Sequence, residues 1–509
     1  MLRLLLIQVL IIGTSYCAKI LFVPMSGMPS HYKSMIPFMN SLINHGHEVH
    51  VWYTASIGSE LSHDKLRINN CVVDSSNNFL IQQIENKDNP EMFKHMWSQE
   101  HSGFLGLLVP NMLGIEALGL CYQQRPENIQ HLLNENWDMV VIDSLFNPYS
   151  ALFLNENGTA RFPTILFSTS ITIMADRQNQ ALPANPVLQK PLWDAKFNLQ
   201  TFSHRLREII SYLCDLGVQY FARFRTYFKL RPLLRFGQTV AQMANQAVLY
   251  FHYEWQSVGE PAPTSPTTLA LNEGKCPEIK DSSLPKDLAD FVEDSSSKGT
   301  ILAAFGHVVA WKAVPNETVE AIYNAFGRLT DYRIIWQYNG PELPPRKNIF
   351  FSKWIPQPAI LNHPKTKVFM SHAGMKSAQE CVCSEVTMLS FPVFGDQFFH
   401  GSLICNDAKA GRLVHKLEIT EKSFQEALLD LLKNDTYSKN MKRLNSVMTD
   451  KLRPSLDLAL HKAELILKNP GVFPTLMELK GKQFNFLKYF NTDLITAFTI
   501  LLFGVSSVY

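Results

Sequence analysis

At 509 residues the chain is too long for one hydrophobic core, so it must divide into at least two domains. A formal net charge of +2 with 18% charged residues excludes a basic field for nucleic acid and an acidic disordered tail. With 46% hydrophobic residues and 33 phenylalanines, large buried cores are expected throughout.

The first segment, residues 1–17, reads as a signal peptide. Arg3 supplies a positive start, Leu4 to Ile12 a short apolar stretch, and Ser15-Tyr16-Cys17 a small-residue cleavage site. A buried first strand is the competing reading, but a better strand, Ile20 to Val23, follows at once. Three sequons, at Asn157, Asn316 and Asn434, fit entry to the secretory pathway.

Lys19 to Pro24 is a short apolar strand that runs into the turn Ser26-Gly27-Met28-Pro29-Ser30. Helical spacing follows through Ile36, Met39 and Leu42, and His47 to Tyr53 reads as the next strand. This strand–loop–helix–strand order predicts a parallel sheet. His45, His47 and His50, around that strand's start, are expected to face solvent. A further strand, Met139 to Ile142, ends at Asp143. Ala184 to Pro232 reads as a helical stretch with aromatic residues at irregular intervals, a lid or an inserted segment. Between 255 and 298 the prolines at 261, 263, 266, 277 and 285, then Ser295-Ser296-Ser297, mark a linker.

A second α/β stretch opens with Gly299 to Phe305, followed by a helix and Arg333 to Trp336. It continues with Lys367 to Met370, a helix from about Met375, and Thr387 to Val393. Apolar strands without alternation suit a sheet covered on both faces. After about Arg453 comes a helical tail, and Leu494 to Tyr509 is uncharged. With Phe484, Phe486, Tyr489, Phe490 and Lys488 before it, that run reads as a membrane anchor. It is shorter than the roughly 20 residues a spanning helix needs, and an amphiphilic tail docked on the protein is the alternative. The eight cysteines show no zinc or disulfide-scaffold spacing. Cys381 and Cys383 read as small buried apolar residues.

The chemistry concentrates between Trp354 and Gln397. The ordered pieces are Trp354-Ile355-Pro356-Gln357, Leu361-Asn362-His363-Pro364, Phe369 to Ser377 with His372, Ala373 and Gly374 at its centre, Gln379-Glu380, and Phe394-Gly395-Asp396-Gln397. A strand ending at Ser371, a turn of small residues and a helix starting near Met375 would offer free N–H groups and a positive dipole end to phosphate oxygens. His372, Lys376 and Ser377 add donors there. Trp354 offers a flat face for a base, and Glu380, Asp396 and Gln397 can hydrogen-bond hydroxyls.

This order of motifs resembles the signature of the UDP-glycosyltransferase family, whose animal members include the UDP-glucuronosyltransferases. The resemblance implies an α/β fold of two Rossmann-like domains facing a cleft, the GT-B type, with a C-terminal apolar membrane segment. It implies an acceptor-binding domain at 18–265, a linker at 266–298, a UDP-sugar-binding domain at 299–455, a helical tail at 456–490 and an anchor at 491–509. It further implies no metal and no cofactor beyond the co-substrate, UDP-glucuronate or UDP-glucose. Trp354 would stack on uracil, Gln357 hold the nucleoside and Glu380 the ribose. His372, Gly374 and the amides near Ser377 would hold the diphosphate, and Asp396 and Gln397 the sugar. The family's general base falls at His31 and its orienting carboxylate at Asp143. Imidazole can take a proton near neutral pH, and a carboxylate behind it fixes the tautomer.

Several positions depart from the family pattern. His372-Ala373-Gly374 stands for His-Gly-Gly, Lys376 for the usual Asn, Glu385 and Thr387 for Gly and Pro, and His307 for the serine that approaches the diphosphate. The expected protein is an inverting glycosyltransferase for small lipophilic acceptors. It would sit in the endoplasmic reticulum membrane as a single-pass type I protein with lumenal catalytic domains, alone or as a homo- or hetero-oligomer with relatives. Two alternatives are a UDP-sugar-binding partner subunit without turnover and a transferase acting on lipid or glycan.

Overall fold

The structure is a computed structural model describing residues 17–57, 59–85, 91–99, 103–170, 172, 177, 180, 182, 198, 200–234, 240–258, 263–277, 283–306, 309–471 and 492–506. The signal-peptide stretch 1–16, the aromatic belt at 484–490, most of 184–199 and His307 lie outside the described residues.

Two parallel sheets organise the chain. The first contains β1 (Lys19–Val23), β2 (Glu48–Ser56), β3 (Arg67–Val73), β4 (Met139–Asp143), β5 (Thr164–Ser168), β6 (Leu249–His252) and β7 (Thr268–Ala270), in the order β3-β2-β1-β4-β5-β6-β7. The second contains β8 (Thr300–Ala304), β9 (Arg333–Gln337), β10 (Ile349–Ser352), β11 (Thr366–Ser371), β12 (Thr387–Ser390) and β13 (Gly411–Leu413), in the order β10-β9-β8-β11-β12-β13. Their central strands β1, β4, β5, β8 and β11 are buried almost throughout, as continuous apolar runs covered on both faces require.

In each sheet the strand order reverses once, between β1 and β4 and between β8 and β11. A crevice opens outside the carboxyl ends of the strands at such a switch point. His31 follows β1 and Asp143 ends β4; Phe305 follows β8 and His372 follows β11. The topology alone therefore gathers most of the chemistry-bearing residues at two facing rims.

Three expectations need correction, and the expected helical tail gains a place in the packing. The stretch 266–298 is not simply a linker, because Thr268–Ala270 closes the first sheet and Lys286–Val292 is a helix burying Leu288 and Val292. A three-residue strand among prolines leaves too little periodicity to read. The tail helix Ser455–Lys468 returns to the first sheet, burying Ala459, Leu460, Ala463, Ile466 and Leu467 in one cluster with Ile20, Met35 and Leu42. His47 and His50 are buried, not solvated: His47 Nδ1 accepts from the Ala18 N–H, and His50 meets Glu48 and the Trp137 ring. Two disulfides form, Cys71–Cys121 and Cys276–Cys383, so only Cys381 of the pair 381/383 is a buried thiol.

The long helix Phe202–Lys229 packs on the helix Gly103–Gln124, where Lys229 Nζ meets Glu116 at 2.6 Å. At the far end the chain forms the helix Thr492–Ser506, with Leu494, Ile495, Phe498 and Ile500 exposed. Among the described residues no helix is long and apolar enough to cross a membrane.

Candidate active site

The helix carrying His31 begins directly after the turn that leaves β1. Pro29 occupies its first turn, where a missing N–H costs nothing, and the helix runs Pro29–Asn44. His31 Nδ1 lies 2.6 Å from Asp143 Oδ2 and 2.6 Å from Thr169 Oγ1. Asp143 is buried, and its oxygens accept backbone N–H groups from Met25 at 3.3 Å and Leu145 at 3.0 Å. A buried carboxylate needs such donors, and it selects the tautomer with the proton on Nδ1. Nε2, for which no hydrogen bond forms among the described residues, then carries the free lone pair. Asp143 thus both closes the turn after β4 and orients His31.

Facing it, β11 ends at Ser371 and the helix Met375–Cys383 starts at Gly374 with no side chain capping its first turn. Its N–H groups are left for another acceptor. His372 sits in the turn, stacked on Phe305 with ring centroids 6.2 Å apart. Burial pushes its pKa down to about 4, so it is neutral, and its Nδ1 has no partner among the described residues. A Cβ at Gly374 would come within 2.6 Å of His372 Nε2, and one at Gly306 within 3.2 Å of its Cε1. A side chain at either position would press on the imidazole, and Gly306 also holds φ at +65°, where glycine is easiest.

Trp354 is 65% exposed, on the loop that follows β10. Behind it, Gln357 Nε2 donates to Glu380 Oε2 at 2.6 Å and to Ser377 Oγ at 3.3 Å. Burial raises the Glu380 pKa above the usual carboxylate range. Gln397 is buried, and its Oε1 accepts the N–H groups of Val393 and Phe394 at 2.9 and 3.1 Å. Only its Nε2 remains to donate. Asp396 takes a hydrogen bond from Ser170 Oγ.

Lys376 behaves differently from a simple phosphate donor. Its ammonium crosses the cleft and donates to the Ser30 carbonyl at 2.7 Å, next to His31. Burial, with Lys33 nearby, pushes its pKa down to about 7. Tyr253 also bridges the halves, donating to Gln379 Oε1 at 3.0 Å. Thr169 and Ser170, on the loop after β5, were not legible in advance. The polar run Ser168-Thr169-Ser170 after an apolar strand was the available signal. Among the described residues no group of three or more His, Cys, Asp and Glu could hold a metal ion.

The model of the family described as UDP-glucoronosyl and UDP-glucosyl transferase matches residues 18–507. The chain belongs to that family. Human UDP-glucuronosyltransferase 1A10 is 25% identical over 500 residues, covering 96% of this chain and 90% of the relative. A UDP-glucuronosyltransferase of Pleuronectes platessa is 26% identical over 383 residues, 72% of this chain and 76% of its own. Among solved structures, a UDP-glucosyltransferase from Polygonum tinctorium superposes with a TM-score of 0.58 at 13% identity, covering 90% of this chain and all of that one. UDP-glucose: anthocyanidin 3-O-glucosyltransferase in complex with UDP gives 0.57 at 15% identity, over 89% of this chain and 100% of that one. These likenesses show the fold, and the family match makes the protein a glycosyltransferase. Its motif residues from Trp354 to Gln397 line one rim, and the His31–Asp143 pair stands on the other.

Proposed function

We propose that the protein transfers glucuronate or glucose from its UDP-sugar to a hydroxyl of a small lipophilic acceptor, with inversion at the anomeric carbon. The observation carrying this reading is the His31–Asp143 pair at 2.6 Å, facing an uncapped helix N-terminus across the cleft.

The acceptor hydroxyl donates to His31 Nε2, and its oxygen attacks C1 of the sugar from the face opposite UDP. As the C1–O bond to the diphosphate breaks, that oxygen keeps the electron pair and the acceptor's proton ends on His31. Asp143 stabilises the imidazolium. The diphosphate charge meets the N–H groups of Met375–Cys383 and the neutral His372, a preorganised set of donors. Trp354 stacks on the uracil, Gln357 and Glu380 hold the nucleoside and ribose, and Asp396 with Gln397 Nε2 holds sugar hydroxyls.

We assign the protein to the endoplasmic reticulum membrane with a lumenal site. Support comes from the signal-like N-terminus, three exposed sequon asparagines and two disulfides, which persist in oxidising compartments. The exposed apolar faces of Thr492–Ser506 and of Phe202–Lys229, the latter with Phe202, Leu206, Ile210, Leu213, Phe221 and Phe224, suit a lipid surface.

The test is UDP release with UDP-glucuronate, UDP-glucose or UDP-galactose and a panel of simple phenols, beside His31→Ala. Loss of the general base should lower kcat by about 10²–10⁴. Release that survives His31→Ala would remove His31 from this role. UDP binding without turnover of any donor would favour the partner-subunit reading, to which Lys376 bound on Ser30 lends itself.

A further inference from the structure

The short helix Glu91–Ser98 lies in the chain between β3 and β4, so by connectivity it belongs to the first sheet's unit. Met96 and Trp97 on it pack elsewhere. Trp97 is 2% exposed and sits in the core of the second unit, among Ile301, Phe305, Trp311 and Phe391. Its ring lies 5.6 Å from that of Phe391, which in turn meets Phe305 at 5.7 Å; Phe305 stacks on His372.

The backbone of this helix is held as firmly as its anchor. Lys416, itself buried, donates to the Met96 carbonyl and to the Val393 carbonyl, the latter at 2.6 Å. Its ammonium also lies 5.7 Å from the Phe398 ring centre. A buried ammonium must keep its acceptors, and here one comes from each unit. The two donor-unit contacts, Val393 and Phe398, bracket the loop Phe394-Gly395-Asp396-Gln397. Gln397 closes the same loop from inside through Val393 and Phe394.

We propose that Glu91–Ser98 is a clasp from the acceptor unit that positions the sugar-binding loop of the donor unit, with Trp97 as its anchor and Lys416 as its receiver. Neither residue touches the donor; both act through the backbone that carries Asp396 and Gln397. The clasp rests on the reading that this loop holds the sugar. Without it the loop loses its outer support, whereas the nucleoside contacts at Trp354, Gln357 and Glu380 stay in place. The clasp also makes the sugar subsite depend on both units, so a donor unit standing alone would bind UDP better than it binds the UDP-sugar.

Binding of UDP, UDP-glucuronate and UDP-glucose to the full chain would be measured by calorimetry for wild type, Trp97→Ala, Trp97→Phe, Lys416→Met and Asp396→Ala. Amide hydrogen exchange across 393–398 would be followed in parallel. Trp97→Ala and Lys416→Met should weaken the UDP-sugar that binds by about tenfold, a coupling of ordinary size, and leave UDP within about twofold. Exchange at 394–397 should quicken, and Trp97→Phe should restore both. Equal weakening of UDP and UDP-sugar together with a lower Tm would mean a merely structural tryptophan and would overturn the clasp. Unchanged exchange at 394–397 would overturn it as well. If Asp396→Ala leaves UDP-sugar binding intact, the sugar reading of the loop fails instead, and the exchange data alone decide the clasp.

Discussion

Lys376 has two claims on its ammonium, the Ser30 carbonyl across the cleft and the diphosphate expected at the helix it begins. Burial lowers its pKa to about 7, so above that pH the amine is mostly neutral, and below it charged. A bound diphosphate favours the charged form, so UDP binding should take up a proton and tighten as pH falls from about 8 to 6. The slope can reach one log unit per pH unit above pH 7. Titration calorimetry with UDP alone reads this without engaging turnover, and Lys376→Met should flatten the profile. A profile that stays steep in the variant would place the titrating group elsewhere. Glu385, another polar departure from the family pattern, holds φ at +56° where glycine is easiest. Its carboxylate accepts from Asn445 Nδ2 at 2.9 Å, a compensation in the folded state that sequence gives no hint of. The legibility of the site divides along the same line. Trp354, Gln357, Glu380, His372 and Asp396 could be named because their chemistry is local to short motifs. Thr169, Ser170 and Lys416 could not, since each matters only through a partner more than twenty residues away.

At the scale of elements, the helix Met375–Cys383 carries Lys376, Ser377 and Glu380 and is tied at its last residue to Cys276, 107 residues earlier. Closing a loop of that length removes much denatured-state entropy, worth up to about 4–5 kcal/mol in the chain-entropy view. The double variant Cys276→Ser/Cys383→Ser should therefore lose a few kcal/mol in urea denaturation and bind UDP more weakly, because the helix that presents its ligands is released at one end. Unchanged UDP affinity would show that Gly374 and the sheet hold the helix well enough alone. Among the interior strands, β1, β2, β4, β8, β9, β11 and β12 were readable as apolar runs, whereas β5 and β6 went unread. β3, with Arg67, Asn69 and Asn70 on it, is an edge strand whose exposed positions break the run, and β7 and β13 have three residues each. Edge strands are less buried than central ones and so carry a weaker apolar signal. No periodicity announces which cysteines pair; Cys276 and Cys383 meet only because the chain from the first sheet passes behind the donor helix.

For the whole molecule, two sheets with the same reversal of strand order face one another, and the labour divides between them. The proposed base His31 and the carboxylate Asp143 stand on the first rim, and the groups expected to hold UDP stand on the second. Asp143→Asn keeps the shape of the first rim but can donate where the carboxylate accepts, which favours the tautomer with the proton on Nε2. His31 would then have no lone pair to offer the acceptor. By analogy with the same change in the hydrolase triad, kcat should fall about 10³–10⁴-fold. The UDP affinity should stay within about twofold, since no uracil, ribose or phosphate ligand is assigned to β1 or β4. Trp354→Ala should do the reverse, weakening UDP by about 1–3 kcal/mol through the lost stacking face with a smaller effect on kcat at saturating donor. Steady-state kinetics on both variants, read beside UDP calorimetry, separates the rims. If Asp143→Asn weakens UDP as much as it slows turnover, the carboxylate is holding the two units together and not orienting a base. The bridges Lys376–Ser30, Ser170–Asp396 and Tyr253–Gln379 would then be the next contacts to cut.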